Sequence, residues 1–329
     1  MSPRVVVITG ATAGVGRATA HAYARRGWSV ALLARGRTGL EATRRDVERL
    51  GGAALALPTD VADEQAIDAA AAAVVATWGA IDVWINNAMA TVFGSVTDVT
   101  PEDFRRATDV TYLGAVWGTR AALRHMRVRD RGVIVQVGSG LAYRSIPLQA
   151  AYCGAKSALR GYTDALRCEL PHEGSRIHLT SVHLSAFNTP QFDWGRSLLS
   201  ARPRPLGQVF QTEVAAAAIY WASQRRRREV WVGAPAVQTI LGTRIVPGLL
   251  DRFLAHRGYA GQQEGDHPAP SRPDNLYLPV EHDAGAHGRF DAEARTASLQ
   301  MALNRQRGPL ALGLLACASL LYAARRRRP

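Results

Sequence analysis

Tyr152 and Lys156 stand four residues apart in the stretch Ala151-Tyr152-Cys153-Gly154-Ala155-Lys156. On a helix that spacing puts both side chains on one face. Lys156 is the only lysine of a chain in which lysine and arginine together number 40. Elsewhere arginine supplies the positive charge; here a compact ammonium with three rotatable donors is kept, which matters where chemistry or tight geometry needs it. A cation beside a phenol favours the phenolate and lowers its pKa from about 10. A tyrosine so treated can act as general acid or base near neutral pH. The pair alone decides nothing, because ordinary amphipathic helices carry the same spacing by chance.

The surrounding elements decide more. Val5-Val6-Val7-Ile8 reads as a strand buried on both faces, followed by Thr9-Gly10-Ala11-Thr12-Ala13-Gly14-Val15-Gly16 and a helical pattern over residues 17–26. Strand, glycine-rich turn and helix form the context of a phosphate-binding loop, with close backbone approach and free N–H groups at the helix start. The second strand, Ser29–Ala34, ends in Arg35-Gly36-Arg37. An acidic residue there suits a ribose 2′-hydroxyl and arginine a 2′-phosphate. The predicted cofactor is therefore NADP(H), against the plainer reading of two solvated arginines. Asp60, after the third strand (53–57), suits an adenine amine or a cap for the helix beginning near Asp63. A fourth strand, 81–85, ends in Asn86-Asn87-Ala88-Met89, where paired asparagines can stabilise the sheet edge and the cofactor's ribose side.

Thr100 and Pro101 start a further helix. Strand 133–137 delivers Gly138-Ser139-Gly140, and thirteen residues later comes Tyr152 in helix 151–170. Strand 177–183 leads to Ser185-Ala186-Phe187-Asn188-Thr189-Pro190. Strands alternating with helices predict an α/β fold, a doubly wound, Rossmann-type parallel sheet. Ligands then bind outside the carboxyl ends of the strands, where the glycine loop, Asn87, Ser139 and Thr189 all fall.

Taken together, these motifs resemble the short-chain dehydrogenase/reductases over roughly residues 4–235. The resemblance implies that Gly10, Thr12, Gly14, Val15 and Gly16 form the cofactor loop, Asp60-Val61 the adenine contact, and Asn87-Ala88 part of an Asn-Asn-Ala-Gly motif. It further implies that Ser139 polarises a substrate carbonyl and Tyr152 passes the proton. Lys156 would lower the tyrosine pKa and hold the nicotinamide ribose, while Thr189 would contact the carboxamide. Three positions depart from the pattern. Met89 replaces the motif's glycine, Leu184-Ser185 stands for Pro-Gly, and Thr111 occupies the place of a catalytic asparagine. A threonine hydroxyl can hold a relay water but lacks the amide's second group. A homo-oligomer is implied by resemblance only.

The substrate side is expected to be apolar. By the same resemblance, residues 190–211, with Gln191, Phe192, Trp194, Leu198, Leu199 and Phe210, would be a lid over the substrate, joined by Phe93, Tyr143 and Leu148. A hydrophobic alcohol, ketone or aldehyde would suit them. The reading is an NADP-dependent oxidoreductase; the alternative is a non-catalytic NADP(H)-binding sensor or scaffold, favoured by Thr111.

The chain of 329 residues carries a net charge of +13, with runs at Arg225-Arg226-Arg227-Arg228 and Arg325-Arg326-Arg327-Arg328. The first closes a helix and complements its dipole; no aromatic-interleaved basic stripe points to nucleic acid. Three cysteines without pairing or metal spacing, and a start that does not read as a signal peptide, give the expectation of a cytoplasmic protein with no metal site. The expected units are a catalytic domain (1–235), an extension (236–305) and an apolar tail (306–329). Within the extension, 239–255 reads as a helical or hairpin addition and 261–288 as loop. Residues 308–324 are uncharged and mostly apolar, short for a span but fit to lie on an anionic membrane.

Overall fold

Every residue of Val5–Thr9 (β1) and Ser29–Ala34 (β2) is buried, as unbroken apolar runs require of strands covered on both faces. Val6 and Ile8 of β1 enter one core while Val5 and Val7 enter the other. Val30 and Leu32 of β2 continue the first, Ala31 and Leu33 the second. Ala53–Pro58 (β3), Val83–Asn86 (β4), Val133–Ser139 (β5), His178–Leu184 (β6) and Glu229–Val232 (β7) complete the sheet. Its seven strands run in the order β7-β6-β5-β4-β1-β2-β3, all parallel. The computed structural model describes residues 4–268 and 273–306.

The layers are helices Gly14–Ala24 (α1), Arg37–Arg49 (α2), Glu64–Trp78 (α3), Pro101–Thr108 (α4), Gly114–Met126 (α5), Ala150–His172 (α6) and Thr212–Ser223 (α7). Apolar side chains of α1, α2 and α7 fill the first core; those of α3, α5 and α6 fill the second. Local chemistry sets the boundaries. Asp63 caps α3 by accepting from Gln65 and Ala66 N–H at 2.9 and 3.1 Å, and Gly79 ends it at φ 82°. Thr100 caps α4, with Pro101 in the first turn. The order in which strands are added reverses between β1 and β4, which opens a crevice at their carboxyl ends.

Beyond β7 the predicted addition at 239–255 is two helices, Ala234–Ile245 (α8) and Pro247–Arg257 (α9). Pro247 lacks the N–H that would continue α8. Gln263–Pro268 pairs antiparallel with Ala201–Pro203. Of the loop predicted over 261–288, residues 263–268 are instead this strand; residues 273–288 are irregular but packed, with Leu276 buried and Phe290 buried just beyond. The apolar stretch 308–324 lies outside the described residues; among these no helix is long and apolar enough to cross a membrane.

Candidate active site

Ser139 is the last residue of β5, and Tyr152 and Lys156 stand one turn apart near the start of α6. The Ser139 hydroxyl oxygen accepts from the Leu141 N–H at 3.1 Å and pairs with the Tyr152 side chain. Lys156 is buried, and its Nζ donates to the Val137 carbonyl at 2.7 Å. It lies 5.7 Å from the centroid of the Tyr152 ring. The expected lowering of the phenol pKa by this ammonium does not occur here. Burial pushes Tyr152 up, opposed by its bond to Ser139, because the ammonium faces the ring and the Val137 carbonyl. Burial also lowers the Lys156 ammonium to about 8.

Opposite these residues stands the glycine loop. Gly10 and Gly14 have φ of 65° and 55°, and a Cβ on Gly16 would overlap the Gly10 carbonyl oxygen. The Asn87 amide clasps the turn through the Thr9 and Gly10 carbonyls at 3.0 and 3.1 Å. Asn86 bonds Thr119 and Gln136 at 2.9 and 3.0 Å. The two asparagines therefore stitch the middle of the sheet, since β4 lies between β5 and β1, and not its edge. The α1 N-cap, Ala13, provides no capping side chain, and first-turn residues Val15 and Gly16 line the crevice, the setting of an anion site.

One cavity of about 470 Å³ joins the loop (Gly10, Thr12, Gly14, Val15, Gly16) to Arg35, Asp60, Val61, Asn87, Ala88, Ser139, Tyr152, Lys156 and Thr189. Arg37 is exposed and does not line it. Asp60 does not cap α3, a role taken by Asp63; it accepts from the Ala62 N–H at 3.0 Å and from Arg106 at 2.6 Å. Thr111 sits in a π-helical turn, Asp109–Leu113, between α4 and α5. Its hydroxyl donates to the Ala90 carbonyl and accepts from the Ala90 N–H, both at 2.9 Å, and Thr111 itself does not line the cavity.

The apolar half of the cavity differs from expectation. Gln191, Phe192 and Trp194 line it, but Leu198, Leu199, Phe93, Phe210, Tyr143 and Leu148 do not. Phe93 packs with Phe192, Val209 and Phe290, and Phe210 faces Phe187, because large aromatics serve cores first. Their place is taken by Ile146, Leu206, Ala236, Leu250, Phe253 and Leu254. Four of these six belong to β7's successor segment, α8 and α9, where no motif marks them. Arg106 was also missed, its only signal being its place on α4.

Residues 4–194 match the family model for short chain dehydrogenases. The chain belongs to the short-chain dehydrogenase/reductase family. Members are oxidoreductases that use nicotinamide cofactors. The chain is 29% identical to an uncharacterized oxidoreductase, YxnA, of Bacillus subtilis, over 99% of this chain and 92% of that protein. Among solved structures it resembles a short-chain dehydrogenase from Streptomyces avermitilis, at 28% identity and a TM-score of 0.64, over 78% of this chain and 99% of that one. An alcohol dehydrogenase from Thermococcus sibiricus, solved with 5-hydroxy-NADP, shares the fold at 23% identity and a TM-score of 0.61, over 70% and 95% of the two chains.

Proposed function

We propose that this short-chain dehydrogenase/reductase uses NADP(H) to reduce the carbonyl group of a hydrophobic small molecule, with Ser139, Tyr152 and Lys156 as catalytic residues. The observation that carries the reading is the single cavity shared by the glycine loop, Arg35 and these three side chains. The loop suits a dinucleotide, since glycines whose Cβ would strike Gly10, Asn87, Ala88 or Thr189 let the turn fold tightly, and Gly10, Thr12, Gly14, Val15 and Gly16 all line the cavity. Arg35, Asp60, Val61, Asn87, Ala88, Lys156 and Thr189 would hold the rest of the cofactor.

NADPH, when bound, supplies the hydride that adds to the substrate's carbonyl carbon. The protein's part is position and proton supply. Ser139 accepts from Leu141, which leaves its own O–H to be given to the carbonyl oxygen. Tyr152, kept neutral by burial, passes its phenolic proton to that oxygen, so the alcohol forms. Lys156, bonded to the Val137 carbonyl, holds the helix that carries Tyr152 against the strand that ends in Ser139. The walls from Ile146, Leu206 and α9 select an apolar substrate body. The test is NADPH oxidation with a panel of hydrophobic ketones and aldehydes, wild type against Tyr152→Phe. Equal rates would remove the catalytic assignment.

The alternative, a non-catalytic NADP(H) sensor or scaffold, draws on Thr111, whose hydroxyl already serves Ala90 twice. A wild type that binds NADPH but turns over no carbonyl compound would favour it.

Membrane contact belongs to the same proposal. Ile245, Leu249 and Phe253 are 75, 65 and 56% exposed, beside exposed Arg244, Arg252 and Arg257, and Phe253 also lines the cavity. An apolar face rimmed by cations suits an anionic bilayer, as does the sequence of residues 308–328. A chain ending at Asn304 should pellet with anionic membranes less than the full chain, and one that also carries Ile245→Ser and Leu249→Ser should stay in the supernatant; equal partitioning of all three would end the idea.

A further inference from the structure

Residues 274–288, well outside the matched family region, cross the whole dinucleotide crevice. At its adenine end, Arg35 donates to the carbonyls of Leu276 and Tyr277 at 3.2 and 2.9 Å, and to that of Asn275. Of the five guanidinium donors this leaves two for another anion. Arg106, the partner of Asp60, donates to the same Leu276 carbonyl at 3.1 Å. At the middle, Asp283 pairs with Arg17, and the Gly285 carbonyl accepts the N–H of Gly14, in the glycine loop itself, at 3.2 Å. At the far end, the Gly288 N–H donates to the Asn188 carbonyl at 3.2 Å, and a Cβ on Gly288 would lie 2.5 Å from the Thr189 carbonyl oxygen. Between these contacts and the sheet the cavity stays open, and Asn275, Pro279, Val280, His282 and Ala284 form its outer wall.

The two ends and the centre of this segment are held differently. Leu276 is fully buried in the second core. Phe290, just past the segment, is buried against Phe192, ring centroids 5.7 Å apart and nearly perpendicular. Tyr277, Leu278, Glu281, His282 and Asp283 between them are exposed. A stretch with few buried apolar contacts opens at lower free energy than its anchors. We propose that residues 274–288 are a part of the cofactor site, a strap that closes over the dinucleotide and must lift at its centre for the cofactor to leave. This rests on the NADP(H) reading given above. The strap also touches the substrate loop, since the Asn275 N–H donates to the Trp194 carbonyl at 3.0 Å. The same anchored end therefore serves both Arg35 and the substrate loop.

The test uses the full chain. NADPH release is followed by stopped-flow fluorescence in the wild type, Asp283→Ala and Gly288→Val, with hydrogen exchange over 277–287 measured with and without NADPH. Asp283 is exposed, so its removal spares the fold; Gly288→Val displaces the strap from the Thr189 end. Release should quicken about threefold to tenfold in each variant, and NADPH should slow exchange across the strap in the wild type. Equal release rates in all three proteins, or exchange indifferent to NADPH in a wild type that binds it, would overturn the strap. A wild type that binds neither NADPH nor NADH would instead overturn the cofactor reading, and the strap's role with it.

Discussion

The ammonium of Lys156 and the carbonyl oxygen of Val137 stand 2.7 Å apart. That bond ties the helix carrying Tyr152 to the strand that ends in Ser139, so three side chains from two elements keep one geometry. The same burial that aligns Lys156 makes its charge costly.

A pH dependence follows from that cost. Lys156 titrates near 8, lowered by burial, so the charged form is present below that pH and lost above it. Carbonyl reduction should fall as pH rises through about 8, as steady-state rates across pH 6–10 will read. Stability moves the other way. Between about pH 8 and 10.5 the unfolded chain holds a proton that the folded chain has shed, so folding becomes more favourable as pH rises. Lys156→Met should flatten both trends.

Arg35→Ala is expected to weaken NADPH binding about tenfold or more, and NADH binding much less. Titration of both dinucleotides by fluorescence gives the comparison. An equal loss for the two would remove the phosphate role, leaving Arg35 as a strap contact only.

Gln262 is fully buried, and its amide N–H groups reach the carbonyls of Pro147 and Gly258, both at 2.8 Å, while its oxygen accepts from Gln149 at 2.7 Å. It thereby holds the loop that enters α6 just before Tyr152, including Leu148 at φ 66°. Gln262→Ala strands several buried polar groups and should cost about 2–4 kcal/mol in denaturant unfolding. It should also raise KM, since Gln149 and Ile146 line the cavity.

Thr111→Val keeps the shape but removes both bonds to Ala90. A loss of about 1–3 kcal/mol is expected by thermal or chemical melting. A rate that falls far more than the melt explains would assign Thr111 to the proton relay; a rate that follows stability would leave it a brace for Met89 and Ala90.

Most of the central fold was legible because its signals are local. The apolar runs of β1 and β2, the glycine loop and the caps at Asp63 and Thr100 each act within a few residues. The placing of Tyr152 and Lys156 one turn apart on a helix was legible for the same reason. The C-terminal contribution was not. Leu276 and Phe290 pack against residues far away in sequence, and nothing in the irregular composition around them announces a buried anchor. The aromatic wall failed similarly, because Phe93 and Phe210 carry no local mark that separates core from cavity. The behaviour of Tyr152 also lay beyond spacing, since i and i+4 place two groups on one face without stating which atom each side chain addresses.

A chain with a single lysine offers amine-directed reagents two targets, the amino terminus and Lys156. Titrating near 8, Lys156 presents a useful share of free amine in mildly alkaline buffer, yet at 4% exposure it can be reached only by way of the cavity. After the exposed Cys168 thiol is blocked, an acyl group at Lys156 is told apart from one at the amino terminus by peptide mass mapping. Any molecule that fills the cavity should shield it, so a small acylating probe makes this residue a one-site gauge for screening unknown substrates.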